Sequence, residues 1–231
     1  NPFFYQHSVR GIAICSNGKL FFSAKEIIHE YDPESREVRK LFTTNNGTSD
    51  VIWDEYHQRI WTLGDYLYEY DPLQDKLTRH EKPVSFTDGY TFALHNMGDS
   101  IWVSSTNGMW IFQVKEGKFV PFSGYGDLEE LASAEVYGFF DVSEKELFIY
   151  TNKGIFVWEK GGRITGLYSE WSKGEYYLPT LNVRHIHRDT AGVLWLATAE
   201  GMIRWEPERH EIRRFTTADG LYDQNLYGIF E

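Results

Sequence analysis

The chain has 231 residues, a formal net charge of −11 and 17% aromatic side chains. Its acidity speaks against nucleic acid as a partner, since that binding rests on Lys and Arg neutralising phosphates. No run of about 18 apolar residues is present to cross a membrane, and the single cysteine, Cys15, excludes an internal disulfide. Cys15 lies in the apolar stretch GIAIC and reads as a small buried hydrophobe.

Strand signals follow in groups of four. The first unit, residues 8–48, opens on the apolar run VRGIAIC and turns at SNGK. It continues through KLFFSAKEIIHEYDP and closes on REVRKLF. The second, 49–88, reads SDVIWDE, then YHQR, then RIWTLGDYLYEYDP. The third, 89–133, runs TFALHN, MGDS, SIWVSSTNGMWIF and GKFVPF. The fourth, 134–180, runs VYGFFDV, SEKE and ELFIYTNKGIFVW. The fifth, 181–221, runs VRHIHRD, TAGV, VLWLATAEGMIRWEP and HEIRRF. Alternation of apolar and polar residues marks several of these as half-buried strands. Residues 222–231 read as the first strand of a further unit, so the chain is expected to be a fragment of a longer polypeptide.

The aromatics at the head of each second strand are Phe21, Trp61, Trp102, Phe148 and Trp195, spaced 40, 41, 46 and 47 residues apart. That period fits one four-stranded blade per unit. The expectation is an all-β fold: a β-propeller of four-stranded antiparallel blades, five of them, in one region covering 1–231. Each anchor aromatic fills the space between blades, at roughly 1.5–3 kcal/mol per buried ring. Trp195→Ala is accordingly expected to cost about 3–5 kcal/mol.

In the last three units the anchor is followed at +3 by Ser105, Thr151 or Thr198, and at +6 by Gly108, Gly154 or Gly201. This suits a hairpin in which glycine supplies a positive φ and the hydroxyl bonds the turn backbone. The first two units carry Ile27 and Leu67 at +6, so their hairpins must be built differently.

The segment 189–221, DTAGVLWLATAEGMIRWEPERHEIRRFTTADGL, resembles the two-component-regulator propeller repeat, D-x-x-G-x-L-W-x-x-T-x-x-G-[LI]-x-x-[YW]. The resemblance is specific in the last unit, fair in the units around 100 and 146 and weak in the first two. It implies a periplasmic sensor region of a bacterial hybrid two-component histidine kinase, in which propellers precede a membrane helix and a kinase. It also implies an oligosaccharide stimulus and a ring of seven blades, of which this chain would hold five.

Two long connections follow outer strands, 122–135 and 168–182. They carry Tyr125, Asp127, Trp171, Glu175, Tyr176, Tyr177 and Asn182. Flat rings suit the C–H face of a sugar, and carboxylates and amides suit its hydroxyls; loops on a rigid scaffold are where binding residues concentrate. The same rings would equally pin the loops down or touch a partner. Arg10 and Arg184 open inner strands and are candidates to meet an anionic substituent. His185 and His187 form H-x-H on a strand, a spacing seen in zinc sites, but no third ligand stands near them in sequence. His57 and His80 sit in turns or loops without evident partners.

No G-x-S-x-G, H-E-x-x-H or phosphate-binding glycine loop occurs, and no carboxylate pair stands apart from the turn residues. No catalytic residue, metal or cofactor is therefore assigned. The expected role is a non-catalytic extracytoplasmic sensor that takes an oligosaccharide and signals through the rest of its parent chain. A propeller lyase or hydrolase and a protein-interaction or homodimerisation scaffold are the alternatives.

Overall fold

The structure, a computed structural model, describes residues 9–45, 47–84, 90–122, 131, 133–180 and 182–229. Among the described residues, twenty strands form five separate four-stranded antiparallel sheets, each in simple up-and-down order. The first sheet holds β1 (Val9–Ile14), β2 (Leu20–Ala24), β3 (Ile27–Asp32) and β4 (Glu37–Thr43). The second holds β5 (Val51–Asp54), β6 (Arg59–Leu63), β7 (Leu67–Asp71) and β8 (Lys76–His80). The third holds β9 (Thr91–Asn96), β10 (Ser100–Ser105), β11 (Gly108–Gln113) and β12 (Lys118–Pro121). The fourth holds β13 (Val136–Asp141), β14 (Glu146–Thr151), β15 (Gly154–Glu159) and β16 (Arg163–Tyr168). The fifth holds β17 (Val183–Arg188), β18 (Leu194–Thr198), β19 (Gly201–Glu206) and β20 (Glu211–Phe215). These are five propeller blades, and the all-β expectation holds.

The stretch 222–229 forms no strand. This corrects its reading as the opening strand of another blade. A strand exists by pairing, and no following strand among the described residues offers it a ladder. Instead Leu226 N–H donates to the Thr198 carbonyl at 2.9 Å.

The chain divides into two compact units, one of Asn1–Ser105 and Met109–Phe122, the other of Thr106–Gly108 and Ser123–Glu231. In the first, successive sheets pack face to face. Phe21, Ile28 and Phe42 meet Val51, Ile60, Tyr68 and Tyr70 of the second sheet. The opposite face of that sheet, with Trp61, Leu63 and Leu67, meets Leu94, Ile101, Val103 and Phe112 of the third. In the second unit Phe148, Tyr150, Ile155 and Val157 pack on Leu194, Leu196, Ile203 and Trp205. Phe21, Trp61 and Phe148 therefore pack on the neighbouring blade's second and third strands, as expected.

Trp195 departs from this pattern. The other four anchors are buried, whereas Trp195 is only half-buried. It alternates with Leu194 and Leu196 along β18, so it lies on the face turned away from the fourth sheet. The expected 3–5 kcal/mol for Trp195→Ala belongs to a fully buried ring and does not apply to it.

Among the described residues, four inner strands pair irregularly with their neighbours near their start: at Val9/Ile12, at Thr91/Leu94 opposite Val103/Ser105, at Val136/Gly138 and at Val183/His185. Such bulges increase local twist and free a backbone group. A serine of the second strand takes up that group in two blades: Gly11 N–H donates to Ser23 Oγ at 3.0 Å, and Ala93 N–H to Ser104 Oγ at 2.8 Å.

Asp50 ties the second blade to the third. Its carboxylate accepts from Val51 N–H at 2.8 Å and from Leu94 N–H at 2.9 Å. Burial pushes its pKa up to about 6, against the opposing pull of those two donors. A carboxyl whose folded pKa is raised holds its proton more tightly in the folded state. Its contribution is full below the unfolded value of 3.8 and is lost as pH rises through about 6. Urea midpoints should thus fall over that window by an amount equivalent to about 1–3 kcal/mol, and in Asp50→Asn that component of the slope should vanish.

Candidate functional site

In the second unit the connection from β16 to β17 is held by its own hydrogen bonds. Ser169, almost fully buried, starts it. Ser169 N–H donates to the Tyr176 carbonyl at 3.1 Å, and Leu178 N–H to the Ser169 carbonyl at 3.0 Å. The Ser169 and Ser172 hydroxyls lie 2.8 Å apart, and Ser172 Oγ donates to the Leu167 carbonyl at 2.7 Å. Leu178, with no exposed surface, pins the far side into the core. Between these clamps a short 3-10 turn, Gly174–Tyr176, reverses the chain.

The clamps leave two rings outside. Trp171 is 75% exposed and Tyr177 47% exposed. Glu170, Lys173 and Glu175 stand exposed on the same loop. A large apolar ring held open to water by a closed hydrogen-bond frame has its ordering cost met before any ligand arrives, which favours binding.

The other expected residues fall differently. Tyr176 is turned to the sheet: it packs on Tyr168 with ring centroids 5.1 Å apart, and its ring covers Gly166, where a Cβ would meet Tyr176 at 2.3 Å. Asn182 is exposed, with its backbone N–H on Thr180 Oγ1. Arg184 donates to Asn225 Oδ1 at 2.6 Å and stands over the Tyr227 ring at 4.4 Å, so the segment after β20 already engages it. The structure thus brings Trp171, Glu175 and Tyr177 onto one exposed loop. Tyr125 and Asp127 lie outside the described residues.

The histidines have roles the sequence did not show. His185 Nδ1 accepts from Ile229 N–H at 3.3 Å; burial and the neighbouring His187 push its pKa down, which favours the neutral ring that can accept. His57 and His80 do have partners, contrary to the sequence reading. His57 Nδ1 lies 2.7 Å from Asp54 Oδ2, and His80 Nε2 lies 2.9 Å from Glu69 Oε2. Among the described residues no three or more of His, Cys, Asp and Glu gather as metal ligands would.

Sequence reasoning also missed what the turn aspartates do. Asp189 Oδ2 accepts the Trp195 indole N–H at 2.8 Å, and its Oδ1 accepts Ala191 and Val193 N–H. Asp54, fully buried, accepts Tyr56 and His57 N–H and stands 3.4 Å from the Trp61 indole nitrogen. The signal was an Asp six or seven residues before an anchor Trp. It hid because aspartate in a turn already has an ordinary explanation.

No protein-family model matches the sequence, and no curated relative does. Solved structures do match. The extracellular domain of BT3049 from B. thetaiotaomicron, named as a hybrid two-component system, aligns with a TM-score of 0.65 at 16% identity, covering 90% of this chain and 30% of that one. The extracellular domain of BT4673 from the same organism, named likewise, aligns with a TM-score of 0.56 at 15% identity, covering 97% of this chain and 37% of that one. The WD40 propeller domain of Doa1 gives 0.66 at 11% identity, with 95% and 71% covered. At these identities the likeness establishes the propeller fold. The chain spans about a third of the two extracellular domains it is similar to.

Proposed function

We propose that this protein is the ligand-sensing propeller of a hybrid two-component signalling chain, placed outside the cytoplasm in the periplasm. It takes an oligosaccharide on the loop that carries Trp171, Glu175 and Tyr177, and passes binding to the rest of its parent chain without chemistry of its own. The observation that carries this reading is the display of Trp171: the frame of Ser169, Ser172 and Leu178 leaves its ring 75% exposed. Indole faces match the C–H face of a pyranose, and the nearby carboxylate and phenol suit its hydroxyls. The likeness to two extracellular domains named for hybrid two-component systems supports the cellular role.

Calorimetry with a panel of oligosaccharides tests it. Trp171→Ala should weaken binding at least tenfold, about 1.4 kcal/mol or more, while the unfolding free energy changes by no more than about 0.5 kcal/mol. Tyr177→Ala should act in the same direction. Loss of folding in both variants, or unchanged affinity in both, removes the loop from the reading. Cleavage of a panel member, abolished by a carboxylate substitution, would make the protein an enzyme. Self-association without any heat of binding would make it a scaffold.

A further inference from the structure

We propose that the first two sheets of the first unit form a ligand site of their own, at the strand ends marked by the turns after β1, β3, β5 and β7. It takes an uncharged single-ring molecule that carries both hydrogen-bond donors and acceptors. A cavity of about 190 Å³ opens there. For scale, an apolar cavity of about 150 Å³ takes a benzene ring.

Register builds one wall. Phe21, Glu30 and Arg39 are cross-strand neighbours in one row over β2, β3 and β4. Across from them Trp53 of the second sheet stacks on Phe21, with centroids 5.5 Å apart and planes 21° apart. Pro72 and Leu73 form an apolar rim, and Leu73 is 85% exposed. Glu30 is 8% exposed, an unusual depth for a carboxylate.

The charges are satisfied among themselves. Lys19 Nζ stands 3.1 Å from Glu30 and 3.9 Å from Asp32, and Arg39 stands 3.4 Å from Glu30. Glu55, exposed beside the cavity, accepts from Ser16 Oγ, the Trp53 indole and Gln58. An ionic ligand would find no surplus of opposite charge and would still lose its hydration. Neutral hydrogen-bonding groups do have partners. Asn17 uses its carbonyl on Cys15 and Lys19, which leaves its amide N–H groups to donate. Gln58 uses its amide nitrogen on Glu55, which leaves its carbonyl to accept. The Arg39 side chain is 57% exposed and keeps further N–H donors.

Two kinds of molecule share this chemistry, a pyranose and a planar heterocyclic amide, and Cys15 distinguishes them. Cys15 lines the cavity, with its thiol on Asn17 Oδ1 and the Lys19 carbonyl, and it is the only cysteine of the chain. Native protein is treated with iodoacetamide in the presence of methyl β-glucopyranoside, uracil, or their carboxylate counterparts glucuronate and orotate. For a ligand this small, a Kd on the order of 1 mM is expected. One uncharged probe at about ten times that concentration should slow alkylation about tenfold. Its carboxylate counterpart should not, and the protecting probe identifies the source. Gln58→Gly, which suits the φ of 55° at that position, should abolish protection, with each protein's protected rate read against its own unprotected rate. The proposal is overturned if no probe protects, if a carboxylate protects as well, or if protection survives in Gln58→Gly. It is also overturned if Cys15 reacts only on global unfolding, because a cavity closed to iodoacetamide is closed to a ring.

Discussion

Trp205→Ala should destabilise the protein by about 3–5 kcal/mol, and Trp195→Ala by about 1–2 kcal/mol. The two indoles belong to the same fourteen-residue stretch, GVLWLATAEGMIRW, yet they face opposite sides of one sheet. Trp205 is 1% exposed; its ring stacks on Phe148 at 5.5 Å and meets Tyr168 edge-on at 4.7 Å. Removing it opens a cavity between the fourth and fifth sheets that two rigid β-layers cannot close. Trp195 gives up partial burial, the hydrogen bond to Asp189 and a looser contact with Phe215. Urea denaturation of both variants measures the difference. Equal losses would show that the anchor ring is held as tightly in the last sheet as in the others.

That pair also shows what a repeat can disclose. The 40-to-47-residue period and the polar turns were enough for five four-stranded sheets, because each unit states the same pattern and errors in one are corrected by the rest. Period alone placed the anchors on one face of every blade. It did not say whether that face is covered, which depends on the neighbour and not on the unit itself. For Phe21, Trp61 and Phe148 the neighbour lies in the same compact unit, and the rings are buried. For Trp195 none is present among the described residues.

The loop residues were legible as a group and not one by one. Composition marked 168–182 as rich in rings, but Trp171 and Tyr176, five residues apart, have opposite fates. Tyr176 covers Gly166 and packs on Tyr168, whereas Trp171 stands in water. What separates them is the Ser169–Ser172 hydroxyl pair and the buried Leu178, ordinary residues with no motif. The cavity beside Cys15 was equally silent, since its walls come from two sheets whose contact no local pattern encodes.

Gly154→Ala should cost about 3–5 kcal/mol and disturb the Trp171 loop with it. The hairpin from β14 to β15 is the two-residue kind expected from the Thr and Gly spacing. Thr151 Oγ1 donates to the Gly154 carbonyl at 3.0 Å and accepts Lys153 N–H at 3.0 Å. Gly154 has φ 122°, where any other residue carries about 1–3 kcal/mol of strain. A Cβ there would also stand 2.3 Å from the Tyr168 carbonyl oxygen and 3.0 Å from Ser169 Cβ. Those atoms are the end of β16 and the root of the loop, so relief of the clash must move the frame that presents Trp171. Gly162 supplies the comparison. It has φ 115°, and nothing lies within 4 Å of an added Cβ, so Gly162→Ala carries the strain alone. The clash should add about 1–3 kcal/mol to Gly154→Ala, and Trp171 fluorescence or oligosaccharide affinity should change in that variant only. Equal costs and an unmoved loop would mean that glycine serves the turn there and not the approach of the outer strand.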